Sequence, residues 1–348
     1  MQERGSEGPS PFLSICIPSY NRPELLARLL RSIDVPGDTV EIVICEDMAP
    51  NRERVREEVQ EFQASTPYRV RYFENTQNLG YDRNLRELIG KARGEFIVFM
   101  GDDDRFVPGK LDDFIGYLRS QPDVGYVLRS YLVEHDDGRS ELFRYFPRSE
   151  RFEQGFDTYV LLFRRSVSLA GFTFRRELAA DKLLEEFDGT LLFQLYLAAE
   201  ISLHHPTAFC DVPFVYCEQS FRADGSFFGA AEAERARFSP GKVLPSNSMN
   251  FMKGFFRITQ YLDRKYGFRS TERVRNDISK YSYPVLAIQR KRGSKVFLQY
   301  ARTLASDLQL NCTFHFYIYT LGLLVAGEKN CDRLIWLIKR TLGYTPKL

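Results

Sequence analysis

The run Glu95-Phe-Ile-Val-Phe-Met-Gly-Asp-Asp-Asp-Arg-Phe-Val-Pro-Gly109 decides how the rest of the chain is read, because an apolar run stops abruptly at three adjacent carboxylates. Phe96 to Met100 is the unbroken hydrophobic stretch of a central strand covered on both faces by helices. Gly101 ends it, and Asp102, Asp103 and Asp104 fall at the strand's carboxyl end, where open α/β sheets bind their ligands. Three neighbouring like charges need either full solvation or neutralisation. A hard divalent cation that also carries phosphate oxygens supplies the second, and a solvated acidic turn is the alternative.

Working outward, Phe12 to Ile17 reads as a strand, and Pro18-Ser-Tyr-Asn-Arg-Pro23 as a turn into a helix with Asn21 or Arg22 near the cap and Pro23 at the first helical position. Val40 to Cys45 is a second strand that ends on Glu46-Asp47. A charged helix over about Asn51 to Ala64 leads to a strand at Tyr68 to Phe73, a loop from Glu74 to Gly80, and a helix from Tyr81 to Ala92. The alternation predicts a doubly wound α/β fold with a mostly parallel sheet flanked by helices.

Composition excludes disorder: of 348 residues, 44% are hydrophobic and 27% charged. The net charge of +2 hides an asymmetry. Residues 240–348 carry 19 Lys and Arg against 6 Asp and Glu, whereas residues 1–239 carry 29 against 40. The basic end points to an anionic partner, lipid headgroups or nucleic acid. Cys16, Cys45, Cys210, Cys217, Cys312 and Cys331 lack metal or redox spacing and read as buried thiols in a reducing compartment. Met1 to Pro11 is a polar, flexible start with no signal peptide, and the most apolar run, Phe314 to Ala326, is too short and too interrupted to span a bilayer.

The set Ile17-Pro-Ser-Tyr-Asn-Arg22, Glu46-Asp47, Asn78-Leu-Gly80 with Arg83-Asn84, Ala92-Arg-Gly-Glu95, Gly101-Asp-Asp-Asp104 and Pro108-Gly109 resembles glycosyltransferase family 2. Gly80-Tyr-Asp-Arg-Asn84 and Gly101-Asp-Asp-Asp104 are similar to its abequosyltransferase-like branch, which builds bacterial surface polysaccharides such as O-antigen. The resemblance is specific over about residues 12–135. It implies a GT-A (Rossmann-like) fold, with residues 12–135 as the nucleotide-sugar-binding half, 136–239 as the acceptor-side half and 240–348 as a basic helical region. It places Pro18, Tyr20, Arg22, Asp47, Arg83, Asn84 and Asp102 on the donor, with Asp47 accepting a hydrogen bond from base or ribose. It assigns Mn2+ or Mg2+ to two or three of Asp102, Asp103 and Asp104, with Asp103 and Asp104 ranked first; many members of the family have an Asp where Gly101 stands.

Ser168 to Glu177 resembles the family's acceptor-side strand, and Glu185-Glu-Phe-Asp-Gly-Thr190 lies where the family places its catalytic carboxylate. Asp188, Glu185 and Glu186 are therefore the base candidates, although the family's Glu-Asp pair and downstream Gln-x-x-Arg-Trp pattern are not reproduced. A helix cap is the alternative for Asp188. Phe221 to Gly229 mixes glycine, aromatics and Arg222, a composition that suits a mobile lid with a donor-binding cation. Met252, Phe255, Phe256, Thr259, Leu262 and Tyr266 share one face of a helix, which is either a core stripe or, with Arg290-Lys-Arg292, Lys295 and the Trp336 segment, a surface for an anionic membrane.

The expectation is a cytoplasmic, membrane-peripheral, metal-dependent transferase that moves a sugar from a nucleotide diphosphate to a hydroxyl of a lipid-linked glycan. A nucleotidyltransferase acting on sugar phosphates is the rival, but it usually carries a glycine-rich phosphate loop after the first strand, which Pro18 to Pro23 is not. A nucleic-acid-binding protein would explain the basic end and not the acidic strand tip.

Overall fold

The computed structural model describes residues 10–134, 140–218, 229–240 and 243–342. The chain divides into two compact units, Met1–Ser220 with Ala230–Glu234, and Phe221–Gly229 with Arg235–Leu348.

The first unit opens with β1 (Leu13–Ser19), α1 (Pro23–Arg31), β2 (Val40–Glu46), α2 (Arg52–Ser65), β3 (Arg69–Glu74), α3 (Tyr81–Lys91) and β4 (Phe96–Phe99). Pro23 starts α1, and Leu26, Leu29 and Leu30 turn its apolar stripe onto the sheet. The four strands lie in the order β3-β2-β1-β4, all parallel, with Ser19 beside Glu46 and Glu46 beside Glu74. That register brings the carboxyl ends of β1, β2 and β3 to one edge. Ile15, Ile17, Ile42, Ile44, Val98 and Met100 on one face and Cys16, Val43, Ile97 and Phe99 on the other are all buried, in keeping with strands covered on both sides.

Next come β5 (Arg105–Phe106), α4 (Lys110–Arg119), β6 (Tyr126–Arg129), β7 (Tyr131–Glu134), β8 (Ser140–Phe143), β9 (Glu150–Phe152), α5 (Phe156–Phe163), β10 (Phe172–Arg175), α6 (Phe193–His204), β11 (Thr207–Cys210), β12 (Val215–Glu218) and the short α7 (Glu232–Arg235). The main sheet grows to eight strands, β3-β2-β1-β4-β10-β6-β11-β9, with β10 antiparallel between β4 and β6. A second sheet, β5-β12-β7-β8, begins one residue after Asp104.

Two continuous stretches of chain are each divided between the sheets. Val124 to Glu134 breaks at Ser130, whose amide bonds to Cys210 O while the buried Arg129 donates Nε to Ala170 O. Ala208 to Val215 breaks around Pro213, which has no amide to give a ladder.

The second unit contains α8 (Pro245–Tyr266), α9 (Ser270–Lys280), α10 (Tyr283–Arg290), α11 (Ser294–Leu308) and α12 (Phe314–Leu342). Met252, Phe255, Phe256, Thr259 and Leu262 are buried, so the stripe on α8 is core and not a membrane face. Asp263 ties α8 to α9, accepting the amides and hydroxyls of Ser270 and Thr271 at 2.6–3.0 Å. Burial works against its charge, and these bonds outweigh burial and hold its carboxyl below the usual range. The chain of α12 breaks at Gly327, whose φ of 74° and ψ of 168° favour glycine. A Cβ at Gly322 would lie 3.9 Å from Cys331 Sγ. A straight helix would separate residues nine apart by about 13 Å, so the two arms fold back on each other.

All six cysteines are free. Cys16, Cys45 and Cys210 are buried as expected, but Cys312 is exposed and Cys217 and Cys331 are partly exposed.

Candidate active site

The parallel register gathers four sequence motifs of the first unit at one sheet edge, and hydrogen bonds join them. Asp102 Oδ2 accepts the Tyr20 amide at 3.0 Å and Oδ1 accepts Arg22 Nη1 at 2.8 Å, tying the turn after β1 to the end of β4. The same Arg22 nitrogen stands 3.0 Å from Asp103 Oδ2, and Arg28 Nη2 donates to the Asp103 carbonyl at 2.6 Å. Asp102 is buried, which pushes its carboxyl up to about 6 against the opposing pull of Arg22.

Gly101 explains how Asp103 and Asp104 are presented. A Cβ built on Gly101 would meet Asp104 Oδ2 at 2.6 Å and Asp103 Oδ1 at 2.8 Å, so one oxygen from each carboxylate converges on the space that glycine leaves open. This donor pair fits a magnesium or manganese ion, which binds through one or two carboxylates and completes its shell with water and substrate phosphates. It does not fit a three-carboxylate cage: among the described residues no group of three or more His, Cys, Asp or Glu side chains is placed to hold a metal, and Asp102 is engaged by Arg22 and Tyr20.

On the neighbouring strand, Glu46 and Asp47 organise loops. Glu46 accepts the amides of Met48 and Ala49 and two nitrogens of Arg52. Asp47 Oδ1 accepts Asn75 Nδ2 and the Leu79 amide, each at 2.8 Å, while Oδ2 accepts the Gly80 amide at 2.9 Å. Burial raises its carboxyl despite these three bonds. Asp47, expected to face the donor base or ribose, instead fixes the 75–80 loop. Asn84 is likewise buried, giving its Nδ2 to Cys45 O and accepting Asn75 Nδ2. Arg83 is exposed on α3, and Pro18, Tyr20 and Arg22 are partly exposed at the edge.

α3 joins this edge to the loop 184–193. At its start the Tyr81 amide donates to Glu234 Oε1 at 2.7 Å, and burial followed by the charges of Asp82, Asp104 and Glu234 raises the Tyr81 hydroxyl. One residue on, buried Asp82 accepts the amides of Thr190, Leu191 and Phe193 at 2.9–3.0 Å. Burial pushes Asp82 up to about 7, the Phe193 and Leu191 amides opposing it. One turn further, Arg86 grips both oxygens of Asp188 and donates Nη1 to Leu184 O at 3.0 Å. Asp188 is therefore a brace between α3 and its loop, not a helix cap, while Glu185 and Glu186 on the same loop are exposed.

Residues 14–179 match the family model described as Glycosyl transferase family 2. This segment is a glycosyltransferase family 2 domain. Over 114 residues, 32% of this chain and 34% of the relative, it is 32% identical to abequosyltransferase RfbV of Salmonella typhimurium. It is 29% identical over 136 residues, 38% and 42% of the two chains, to the GalNAc(5)-diNAcBac-PP-undecaprenol beta-1,3-glucosyltransferase of Campylobacter jejuni. The matches thus span between about a third and under half of these relatives' lengths. The S. aureus TarS 1-349 structure in complex with UDP-GlcNAc superposes with a TM-score of 0.51 at 15% identity, over 92% of this chain and 91% of that one. The family 2 domain thus has the GT-A fold.

Several residues that hold the family 2 domain's edge together were not anticipated: Asp82, Arg86, Arg28 and Glu234. Asp82 and Arg86 stand four apart in line with buried Leu85 and Ile89, and a charge pair on an inward face is the one signal that could have marked them. Arg222 and the segment 219–228 lie outside the described residues, as does the Trp336 side chain.

Proposed function

We propose that the chain transfers a glycosyl group from a nucleotide diphosphate sugar to a hydroxyl of a lipid-linked glycan destined for a surface polysaccharide, at the cytoplasmic face of an anionic membrane. The observation that carries the reaction is the convergence of Asp103 Oδ1 and Asp104 Oδ2 over Gly101 at the carboxyl edge of the sheet. Asp103 and Asp104 would hold Mn2+ or Mg2+, which when bound neutralises the departing diphosphate. Arg22, partly exposed between Asp102 and Asp103, sets the positions of both carboxylates before donor arrives. Tyr20 and Pro18 border the same turn and offer an aromatic and an apolar surface to the nucleotide. The acceptor oxygen bonds to the anomeric carbon as that carbon's bond to the diphosphate oxygen breaks, and the hydroxyl proton passes to a base. Glu185 and Glu186, exposed on the loop braced by Arg86, are the candidates for that base, since Asp188 is already paired.

The lipid-linked acceptor is supported by the likeness to a transferase whose name includes undecaprenol and by the basic 240–348 region. The test is donor binding by calorimetry across UDP-, GDP-, CDP- and dTDP-sugars with and without Mn2+. Metal-dependent binding of one nucleotide class, abolished in Asp104→Ala, is the expected result. Binding that ignores metal in the wild type would overturn the assignment.

A further inference from the structure

Of the two readings open for the α8 stripe the structure shows the core one, so the apolar surface of the second unit lies elsewhere. With the α8 stripe buried, five of the eight large hydrophobic side chains exposed among this unit's described residues lie on the first arm of α12: Phe314 (74% exposed), Tyr317 (54%), Ile318 (48%), Leu321 (62%) and Val325 (78%). At 100° per residue these five fall within about 100° of one another, a single stripe. The opposite side of the same arm is core, with Phe316 at 4% and Leu323 at 0%. Residues 314–326 contain no Asp, Glu, Lys or Arg.

The elements packed against this arm are basic. Arg290 Nε donates to Leu323 O at 2.8 Å, which places the exposed turn Lys291-Arg292 beside the arm. Lys280, exposed, accepts the Tyr319 hydroxyl on its carbonyl at 3.2 Å. On the second arm Lys329 and Arg333 are exposed next to Leu334 and Leu337. Of the nearby acids, Glu328 pairs with Lys291 at 3.1 Å and Asp332 accepts the Tyr283 hydroxyl, so Lys280, Arg290, Arg292, Lys329 and Arg333 leave the surroundings net positive.

An uncharged stripe in cationic surroundings matches the interfacial layer of an anionic bilayer, where apolar side chains enter the acyl boundary and Lys and Arg meet headgroups. A second copy of the chain is a poor match, because a two-fold contact would lay these basic surroundings against their own like charges. No described helix is long and apolar enough to cross a membrane, so the stripe would lie in the surface. We propose that the Phe314–Val325 face of α12 is the element that inserts into an anionic membrane. The proposal rests on the membrane part of the function above and replaces α8 and purely electrostatic docking as its physical basis.

The experiment uses the full chain and vesicles of phosphatidylglycerol with phosphatidylcholine, or phosphatidylcholine alone. Leu321→Trp in a Trp336→Phe background puts one indole on the stripe. Its emission should shift to the blue with the anionic vesicles and be quenched by brominated acyl chains. In the wild-type background, Leu321→Glu with Val325→Glu should weaken cosedimentation by about tenfold or more while leaving the melting temperature and nucleotide binding in place. Three results would overturn the proposal. If the wild type sediments with anionic vesicles and the double variant does so equally, membrane attachment stands and the stripe is not its agent. If the wild type ignores both vesicle types, the membrane reading fails as well. If light scattering shows a dimer that the same substitutions split, the stripe covers a second copy.

Discussion

Two loops of the first unit carry clusters of carboxylates, Gly101–Asp104 and Glu185–Asp188, and the structure treats them oppositely. In the first, one arginine neutralises Asp102 and steadies Asp103, so that oxygens of Asp103 and Asp104 converge on the open space above Gly101. In the second, Arg86 engages both oxygens of Asp188, and Asp82 fixes the following amides. The same residue type thus presents open oxygens in one place and serves as a brace in the other. In both, one carboxylate is held by an arginine far away in sequence, Arg22 80 positions from Asp102 and Arg86 102 positions from Asp188, and what separates them is the glycine that leaves the neighbouring carboxylates an open space.

The sharpest way to break this contrast is to compare Asp104→Ala with Asp188→Asn. If the first holds metal and diphosphate charge, its kcat/KM falls by about a thousandfold or more, whereas Asp188→Asn keeps activity within about tenfold. Equal losses would return Asp188 to the chemistry. A second comparison concerns stability. Arg86→Ala leaves Asp188 and the Leu184 carbonyl without their cation, and because Asp188 is 27% exposed the cost is discounted to about 2–3 kcal/mol in urea unfolding. Arg22→Ala should cost less stability and more metal affinity.

Gly101→Ala sharpens the picture at one atom. Its methyl group would displace Asp104 Oδ2 and Asp103 Oδ1, so Mn2+ affinity measured by calorimetry should drop by about tenfold with the melting temperature nearly unchanged. A further effect is a pH slope. Asp82 sits at about 7 in the folded state against about 3.9 unfolded, so between these values the folded chain keeps a proton that the unfolded chain has lost. The associated stability is fully present below about pH 4 and lost as pH rises through about 7, at no more than about 1 kcal/mol per unit. Asp82→Asn should flatten the part of that slope which Asp102, also raised, does not supply.

Much of the parallel half was legible because its signals are local. The Phe96–Met100 run, Pro23 at a helix start and the strand ending in Glu46-Asp47 each encode their element within a few residues. The divided strands were not legible: nothing in Val124 to Glu134 marks Ser130 as a crossing point, which depends on Cys210 and Ala170 arriving from elsewhere. At the site, the sequence placed Asp102, Asp103 and Asp104 at a strand end but not the division of contacts among them. The resemblance puts Asp47 and Asn84 on the donor, and nothing local in the sequence shows that their polar atoms also bond the 75–80 loop and β2. On α8, periodicity fixed which side chains share a face and left open whether that face met protein or solvent.

The antiparallel β10 between β4 and β6 has a consequence for how the chain is made. Phe99 pairs with Phe172, 73 positions later, so the β4 edge of the first four strands has no partner until that segment leaves the ribosome. At about 5–20 residues per second the wait is on the order of 4–15 s, during which an apolar strand edge stays unpaired. Nascent chains stalled before and after residue 175 should differ in amide-exchange protection along Phe96–Phe99, and equal protection would show that the edge is shielded by something other than its native neighbour.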